Sequence, residues 1–411
     1  MSSPLSRLGF HYFPDDSHYT GRDLEQWLPV LLKLAARWLV LSASPKRSIP
    51  EPFVRGIVEA GIRPVVWIKS GMSDTSPREL APLLTSYSAW GVQEVVVFDR
   101  PNQRTSWTTT DWSRPDLVER FVDRMLPILQ LEKSVGLNPV FPPLEPGGDY
   151  WDTAFLETAL QSIQRRGQSA LLRKMCLAIY GWTFGHPLDW GFGGPANWPE
   201  ARPYEALEGI QDQIGFRTFD WYGVITKSQL GLELPMIVVS GGPGEAEAAR
   251  ERPAQTISEI LRALQAAEIT DSVLAFNFYL LASDPDSQAY SNAWFAAPGE
   301  PKPLVAAAKR MIDASGKQVM LQVDKPLNHY VLLPHAGLSD DSWMAARKLA
   351  QDAVVGFSTD EAAQAKRVTL VGDEAAIPPS VERRLIREGC LVLRVGPSST
   401  PSWDSAQRRR S

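Results

Sequence analysis

Cysteine is almost missing from this chain: two occur in 411 residues, Cys176 and Cys390, and histidine numbers only five. No Cys/His cluster has the spacing of a zinc site and no disulfide framework exists, so neither a metal nor a cofactor is expected. Both cysteines sit in apolar, strand-like runs and are expected as buried free thiols. No apolar run approaches the roughly 18 residues that span a bilayer. The opening residues, Met-Ser-Ser-Pro-Leu-Ser-Arg-Leu-Gly-Phe, lack the apolar core of a secretory leader. A cytoplasmic protein without membrane contact is therefore expected. Positive charge is not in excess, with 42 Lys and Arg against 47 Asp and Glu and a net charge of −5. That balance argues against nucleic acid as a partner. The exception, Arg408-Arg409-Arg410, closes a Pro/Ser/Thr-rich tail (397–411) that is expected to be disordered. No Gly-x-Gly-x-x-Gly follows the first strand, which counts against dinucleotide binding. Ser240-Gly241-Gly242-Pro243-Gly244 has no Lys-Ser/Thr after it and is not a P-loop. It is either a phosphate seat at a helix start or a tight turn.

What is abundant is proline (33) and tryptophan (14). Tryptophan at this level points to a large core, an aromatic ligand surface, or both. Short Val/Ile/Leu-rich runs fall at 8–13, 38–42, 64–69, 94–99, 137–141, 175–180, 236–240 and 273–279. They show little polar alternation, as suits strands of a parallel sheet buried on both faces. Amphipathic segments at 23–36, 52–60, 77–90, 115–135, 152–165, 204–213 with 217–227, and 253–267 separate them. Gly61, Gly91, Gly136 and Gly231 stand just past helices, where a left-handed residue ends them. Eight such units predict an α/β fold, a (β/α)8 TIM barrel over 1–315, with a doubly wound open sheet as the alternative. A small C-terminal α/β domain is expected over 316–396. Its strands are expected at 318–323, 330–333, 354–357, 367–371 and 391–395, and its helices at 341–350, 359–365 and 379–388.

A barrel works at the C-terminal ends of its strands. The residues there are His11, Tyr12 and Asp15; Lys69; Asp99, Arg100, Asn102, Arg104 and Trp107; Glu145, Asp149 and Tyr150; Tyr180, Trp182, His186, Asp189 and Trp190; Ser240 and Glu245; and Asn277 and Tyr279. Of these, Tyr12, Lys69, Arg100, Asn102, Trp107, Asp149, Tyr180, Trp182, Asp189, Trp190, Ser240 and Asn277 are the candidate ligand-binding set. Apolar C–H faces of a sugar stack on aromatic rings, and its hydroxyls suit Asp, Asn and Arg. Core packing is the alternative for each aromatic residue, and a helix N-cap is the alternative for Asp149.

The segment Phe98-Asp99-Arg100-Pro101-Asn102 is similar to the Asn-Glu-Pro-Asn that follows strand four in barrel glycoside hydrolases of the clan-A type. The loop Phe141-Pro142-Pro143-Leu144-Glu145-Pro146-Gly147-Gly148-Asp149, the insertion Asp189-Trp190-Gly191-Phe192 and the run Phe216-Arg217-Thr218-Phe219-Asp220-Trp221-Tyr222 also resemble that group, over roughly residues 7–312. The resemblance implies a barrel with a carbohydrate-binding rim. It puts the acid/base where this chain has Arg100, and the nucleophile where it has Ser240 or Gly241. A retaining glycosidase needs a carboxyl at each position. Arginine cannot act as an acid near neutral pH, and a serine without a base is a poor nucleophile. Three readings follow. The barrel binds a carbohydrate or other polar small molecule without standard hydrolysis; it hydrolyses with relocated carboxylates, Glu145, Asp99 and Asp189; or it is a protein–protein scaffold. Val368-Thr369-Leu370-Val371-Gly372-Asp373 through Gly396 loosely resembles one bacterial cell-wall-binding repeat, with a docking or oligomerisation module as the alternative.

Overall fold

The computed structural model describes residues 6–73, 75–205, 207–244, 253–266, 268–320, 325–334, 344, 347, 353–373, 375–388 and 390–395. The chain divides into two compact units, Arg7–Ile312 and Asp313–Ser411 with Met1–Ser6.

In the first unit eight strands alternate with helices: β1 (Leu8–His11), β2 (Trp38–Ala43), β3 (Arg63–Ile68), β4 (Glu94–Val97), β5 (Val140–Phe141), β6 (Cys176–Trp182), β7 (Met236–Gly242) and β8 (Val273–Phe278). The longer helices are α1 (Gly21–Lys33), α2 (Glu51–Glu59), α3 (Pro77–Ala89), α4 (Leu117–Ser134), α5 (Asp152–Arg165), α6 (Thr218–Leu230), α7 (Pro253–Gln265) and α8 (Pro303–Met320), which begins in this unit and runs past its end at Ile312. All neighbouring strands run parallel, in the order β4-β3-β2-β1-β8-β7-β6-β5. The outer pair is joined by a parallel bridge between Glu94 and Asn138 and by Asn138 N–H donating to Gln93 O at 2.9 Å. The sheet therefore closes into a (β/α)8 barrel, not an open doubly wound sheet.

The strands are buried on both faces, from Leu8–His11 to Val273–Phe278, as their unbroken apolar runs required. Helix starts follow local chemistry. Thr20 with Asp23, and Ser76 with Glu79, form reciprocal capping boxes on α1 and α3. Gly231 ends α6 in the left-handed region at φ 72°, its N–H donating to Lys227 O. Two elements differ from expectation. β5 is only two residues long, because Pro142 and Pro143 follow it and cannot donate to a ladder. The helix expected over 204–213 does not form among its described residues: Gly209 turns the chain at φ 78°, and helix resumes at Thr218.

The second unit has its own parallel sheet. Its strands are β9 (Leu327–Leu332), β10 (Val354–Gly356), β11 (Ala365–Val371) and β12 (Leu391–Val395), ordered β10-β9-β11-β12. Helices α9 (Thr359–Ala362) and α10 (Pro379–Arg387) connect them, and Tyr330, Leu332, Val368, Leu370, Leu385 and Val392 form the core. The strand expected at 318–323 is corrected: α8 continues through Met320, and 321–324 lie outside the described residues. The helix expected at 341–350 is described at 344 and 347 alone, and the tail lies outside the description. Both cysteines are buried and free.

Candidate functional site at the barrel mouth

Side chains alternate along a strand, so every second residue faces the barrel interior. On β1 the inward residue is His11, and its ring forms the floor of the mouth. Nε2 lies 3.1 Å from Ser42 Oγ on β2, and Nδ1 lies 2.8 Å from Ser240 Oγ on β7. Ser42 gives its own proton to Phe13 O at 3.1 Å, so it accepts from Nε2–H. Nδ1 is then the acceptor for Ser240, a tautomer assigned from these partners. Burial holds the His11 pKa well below the ordinary value, and the charge of Lys69 lowers it further. A hydrogen bond with the Val239 backbone opposes this, and Nδ1 faces the Ser240 hydroxyl.

Above this floor the walls are aromatic and form a closed circuit. Between ring centroids, His11 to Trp67 is 5.7 Å, Trp67 to Tyr180 6.1 Å and Tyr180 to Trp182 6.4 Å. Trp182 to Tyr279 is 5.4 Å and Tyr279 back to His11 is 5.2 Å. Four strand ends, β1, β3, β6 and β8, supply the five rings.

Charged groups stand on this circuit. Lys69 Nζ sits 4.3 Å over the Trp67 ring and Arg100 Cζ sits 4.9 Å over Tyr180. Tyr180 donates to Asp99 Oδ1 at 2.5 Å and accepts from Arg100 Nε at 2.9 Å. Arg100 Nε also lies 3.2 Å from Glu145 Oε2 and 3.6 Å from Asp99 Oδ1. Burial pushes the Glu145 carboxyl above the usual range; Arg100 opposes this and Asp99 adds to it. Burial brings the Lys69 amine down to about 8, with Asp99 and Asp15 opposing and Arg100 reinforcing.

The turn that presents Asp99 and Arg100 is strained. Phe98 and Arg100, neither a glycine, have φ of 76° and 47°. Each such residue costs on the order of 1–3 kcal/mol and persists where its surroundings hold it. Here Phe98 N–H donates to Ile68 O and Phe98 O accepts from Trp67 Nε1. Arg100 N–H donates to Pro143 O, and Ser106 Oγ lies within hydrogen-bond reach of the carbonyls of Asp99 and Arg100. Asn102 ties the turn to the β5 loop. Its Nδ2 donates to Glu145 O at 2.8 Å and Tyr150 O at 2.9 Å, and its Oδ1 accepts from Glu145 N at 2.8 Å. Beneath that loop the buried Asp152 accepts from Gly147 N, Gln213 Nε2 and Tyr222 OH.

The structure thus brings together Lys69, Asp99, Arg100, Glu145, Tyr180, Trp182 and Ser240 of the predicted set. Other members lie elsewhere. Tyr12 follows an inward residue and so points outward, buried against Phe13, Tyr19, Trp27 and Phe53. The Asn102 amide is fully engaged in holding the loop and is buried. Trp107 is buried, donates to Pro101 O and packs under Arg120 and Arg124. Asp149 is not the cap of α5, whose N-cap is Trp151; its carboxylate accepts from Arg104 N. Asn277 is inward but buried, donating to Val238 O, with its Oδ1 beside Gly9. Asp189 is exposed. Trp190 donates to Asp212, stacks on His186 at 4.0 Å and borders a separate groove of about 240 Å³ with residues of 201–212. Glu245 lies outside the described residues. Sequence reasoning passed over Trp67 and Ser42. Trp67 was accessible in principle, because it precedes the inward Lys69 by two residues. Among the described residues, Asp15, His18 and Asp284 form a metal-type cluster, but both ring nitrogens of His18 already face the carboxylates, at 3.0 and 3.3 Å.

Fold and site together define a (β/α)8 barrel with an aromatic mouth. No protein-family model matches the sequence, and no curated protein matches it. Solved structures similar to the chain include a GH128 (subgroup II) endo-β-1,3-glucanase from Sorangium cellulosum, at 14% identity over 74% of this chain and 97% of that one, TM-score 0.45. A fungal β-1,4-galactanase matches at 11% identity over 73% and 99%, TM-score 0.46. A GH5 cellulase from an Icelandic hot spring isolate matches at 10% identity over 76% and 88%, TM-score 0.48. No site residue is carried over from them. No described helix is long and apolar enough to cross a membrane.

Proposed function

We propose that the protein binds a carbohydrate, or a small polar ligand of that kind, in the barrel mouth, without standard retaining hydrolysis. The observation that carries this reading is the half-buried pair Trp182 and Tyr279 at the rim, backed by the buried rings of His11, Trp67 and Tyr180, with Asp99, Arg100 and Glu145 beside them. Stacking rings accept the apolar face of a sugar, while carboxylates and a guanidinium accept and donate to its hydroxyls. Arg100 stands between the two acids and pairs with both, which favours ligand orientation over free proton transfer. Calorimetry with methyl glycosides and short glucans or galactans tests it. Binding that weakens at least tenfold in Trp182→Ala is expected, equivalent to about 1.4 kcal/mol. No heat with any of these ligands would overturn it.

A second reading has one observation in its favour. Asp99 and Glu145 both reach one nitrogen of Arg100, so these two oxygens are no more than about 7 Å apart, close enough for two carboxyls to address one bond. Glu145, whose carboxyl burial raises above the usual range, would be the acid and Asp99 the base. Aryl-glycoside turnover that Glu145→Gln abolishes would establish this reading and displace the first.

A further inference from the structure

The mouth holds two cations, and they are treated differently. Arg100 has Tyr180, Asp99 and Glu145 as partners. Lys69 has no hydrogen bond and no ion pair among the described residues; its Nζ rests on the Trp67 face, in the field of Asp99 and Asp15. Its position follows from strand parity. Trp67 points inward, touching His11 and Tyr180, and Lys69 two residues later shares that direction. The carboxylates that act on it are already engaged, Asp99 with Tyr180 and Asp15 with His18. An amine left without acceptors, on an apolar ring in a lined mouth, is placed as a nucleophile, not as a structural charge.

We infer that Lys69 is a covalent attachment point for carbonyl ligands, its Nζ forming an imine with the aldehyde or ketone carbon of a small hydroxylated molecule. The inference rests on the proposed function only for the hydroxylated character of that ligand. The free amine attacks the carbonyl carbon; the C–N bond forms as the C=O π pair moves to oxygen. That oxygen takes a proton from nitrogen, giving the carbinolamine. A second proton, from solvent, lets it leave as water while the nitrogen lone pair closes the C=N bond. The imine nitrogen then keeps or releases its remaining proton. Amine and carbonyl give imine and water, with no oxidant or reductant. The lowered basicity of Lys69, to about 8, supports the same role. At pH 7 roughly a tenth of it is free amine, against about 0.03% for an ordinary lysine.

The test uses the full chain with glycolaldehyde or glyceraldehyde and cyanoborohydride at pH 7, followed by peptide mapping. The expected result is a reduced adduct at Lys69 forming at least tenfold faster than at any other lysine. Its rate saturates with aldehyde concentration and it is lost in Lys69→Arg, which keeps the cation over Trp67. Adducts spread over many lysines at similar rates, or a Lys69 rate that never saturates, would overturn the inference. The wild-type map decides the matter even if the variant folds poorly. Methyl glycosides, which have no carbonyl, separate the two proposals. Their binding without Lys69 labelling removes this inference and leaves the proposed function; labelling without their binding does the reverse.

Discussion

Each end of the barrel carries an arginine laid over an aromatic ring beside a glutamate. At the N-terminal ends of the strands, Arg63 lies 4.7 Å over Trp38 and is forked onto Glu94, which also accepts from Asn138 Nδ2 at 2.7 Å. Glu94 is 2% exposed, and no residue of this group has a left-handed backbone. At the C-terminal ends, Arg100 lies over Tyr180 with Asp99 and Glu145; its side chain is 45% exposed and its own φ is positive. The chemistry is alike and the setting is opposite. The lower group is desolvated and hydrogen-bonded into the closing seam between β4 and β5, where breaking one partner strands a charge. The upper group faces solvent, is held by loops and includes a lysine without an ion pair among the described residues. In barrels the lower end serves stability and the upper end the ligand, and the two arginines exhibit that division within one molecule.

The comparison is broken most directly at Glu94. Glu94→Leu removes the carboxylate that Arg63 is forked onto and is expected to lower unfolding free energy by about 3–5 kcal/mol, read from denaturant titration. The matching change at the mouth, Glu145→Gln, is expected to cost under about 1 kcal/mol, because its ion pair is partly solvated. Equal losses at the two ends would erase the distinction.

A smaller effect is expected at the loop that supports the mouth. Asn102→Ala takes the amide partner from the Glu145 N–H and the Tyr150 carbonyl, and leaves the Glu145 carbonyl with Gly148 N–H. A loss of about 1–3 kcal/mol is expected. Ligand affinity should fall with it, since this amide positions Glu145. A variant that loses stability but binds as before would show that the loop does not position the site.

The smallest effect is in pH dependence. Burial first, and Asp99 next, raise the Glu145 pKa in the folded state above its unfolded value, with Arg100 opposing. Between those two values the folded protein holds the extra proton. This contribution is therefore present below the ordinary glutamate range and is lost as pH rises through the raised folded value. Subtracting the Glu145→Gln stability profile from that of the wild type should leave a difference that declines with rising pH across that interval. A flat difference, or one that climbs, would mean that Arg100 dominates and the carboxyl is ionised throughout.

Much of the barrel was legible because its signals are local. Unbroken apolar runs such as Trp38–Ala43 mark strands buried on both faces. Thr20 with Asp23 marks a helix start, and Gly231 marks a helix end. The site was legible only as a set of strand ends. Tyr12 and His11 are equally close to the end of β1, and only the pleat decides that one lines the mouth while the other packs outward. Asn102 and Glu145 were both read as ligand or catalytic residues, yet the amide of one is engaged in holding the backbone of the other.

By itself the sequence determined the alternation of strands and helices, their number, the barrel class and the rim on which polar and aromatic residues collect. These follow from burial patterns and turn chemistry within a few residues of each other. Tertiary structure alone decided the partners. Arg100 meets Glu145 from the next loop and Tyr180 from β6, His11 bridges Ser42 and Ser240 across four adjacent strands, and Lys69 is laid on the Trp67 face with no acceptor among the described residues. Such meetings depend on strand register and barrel closure, which are set by contacts between residues far apart in the chain and leave no local trace.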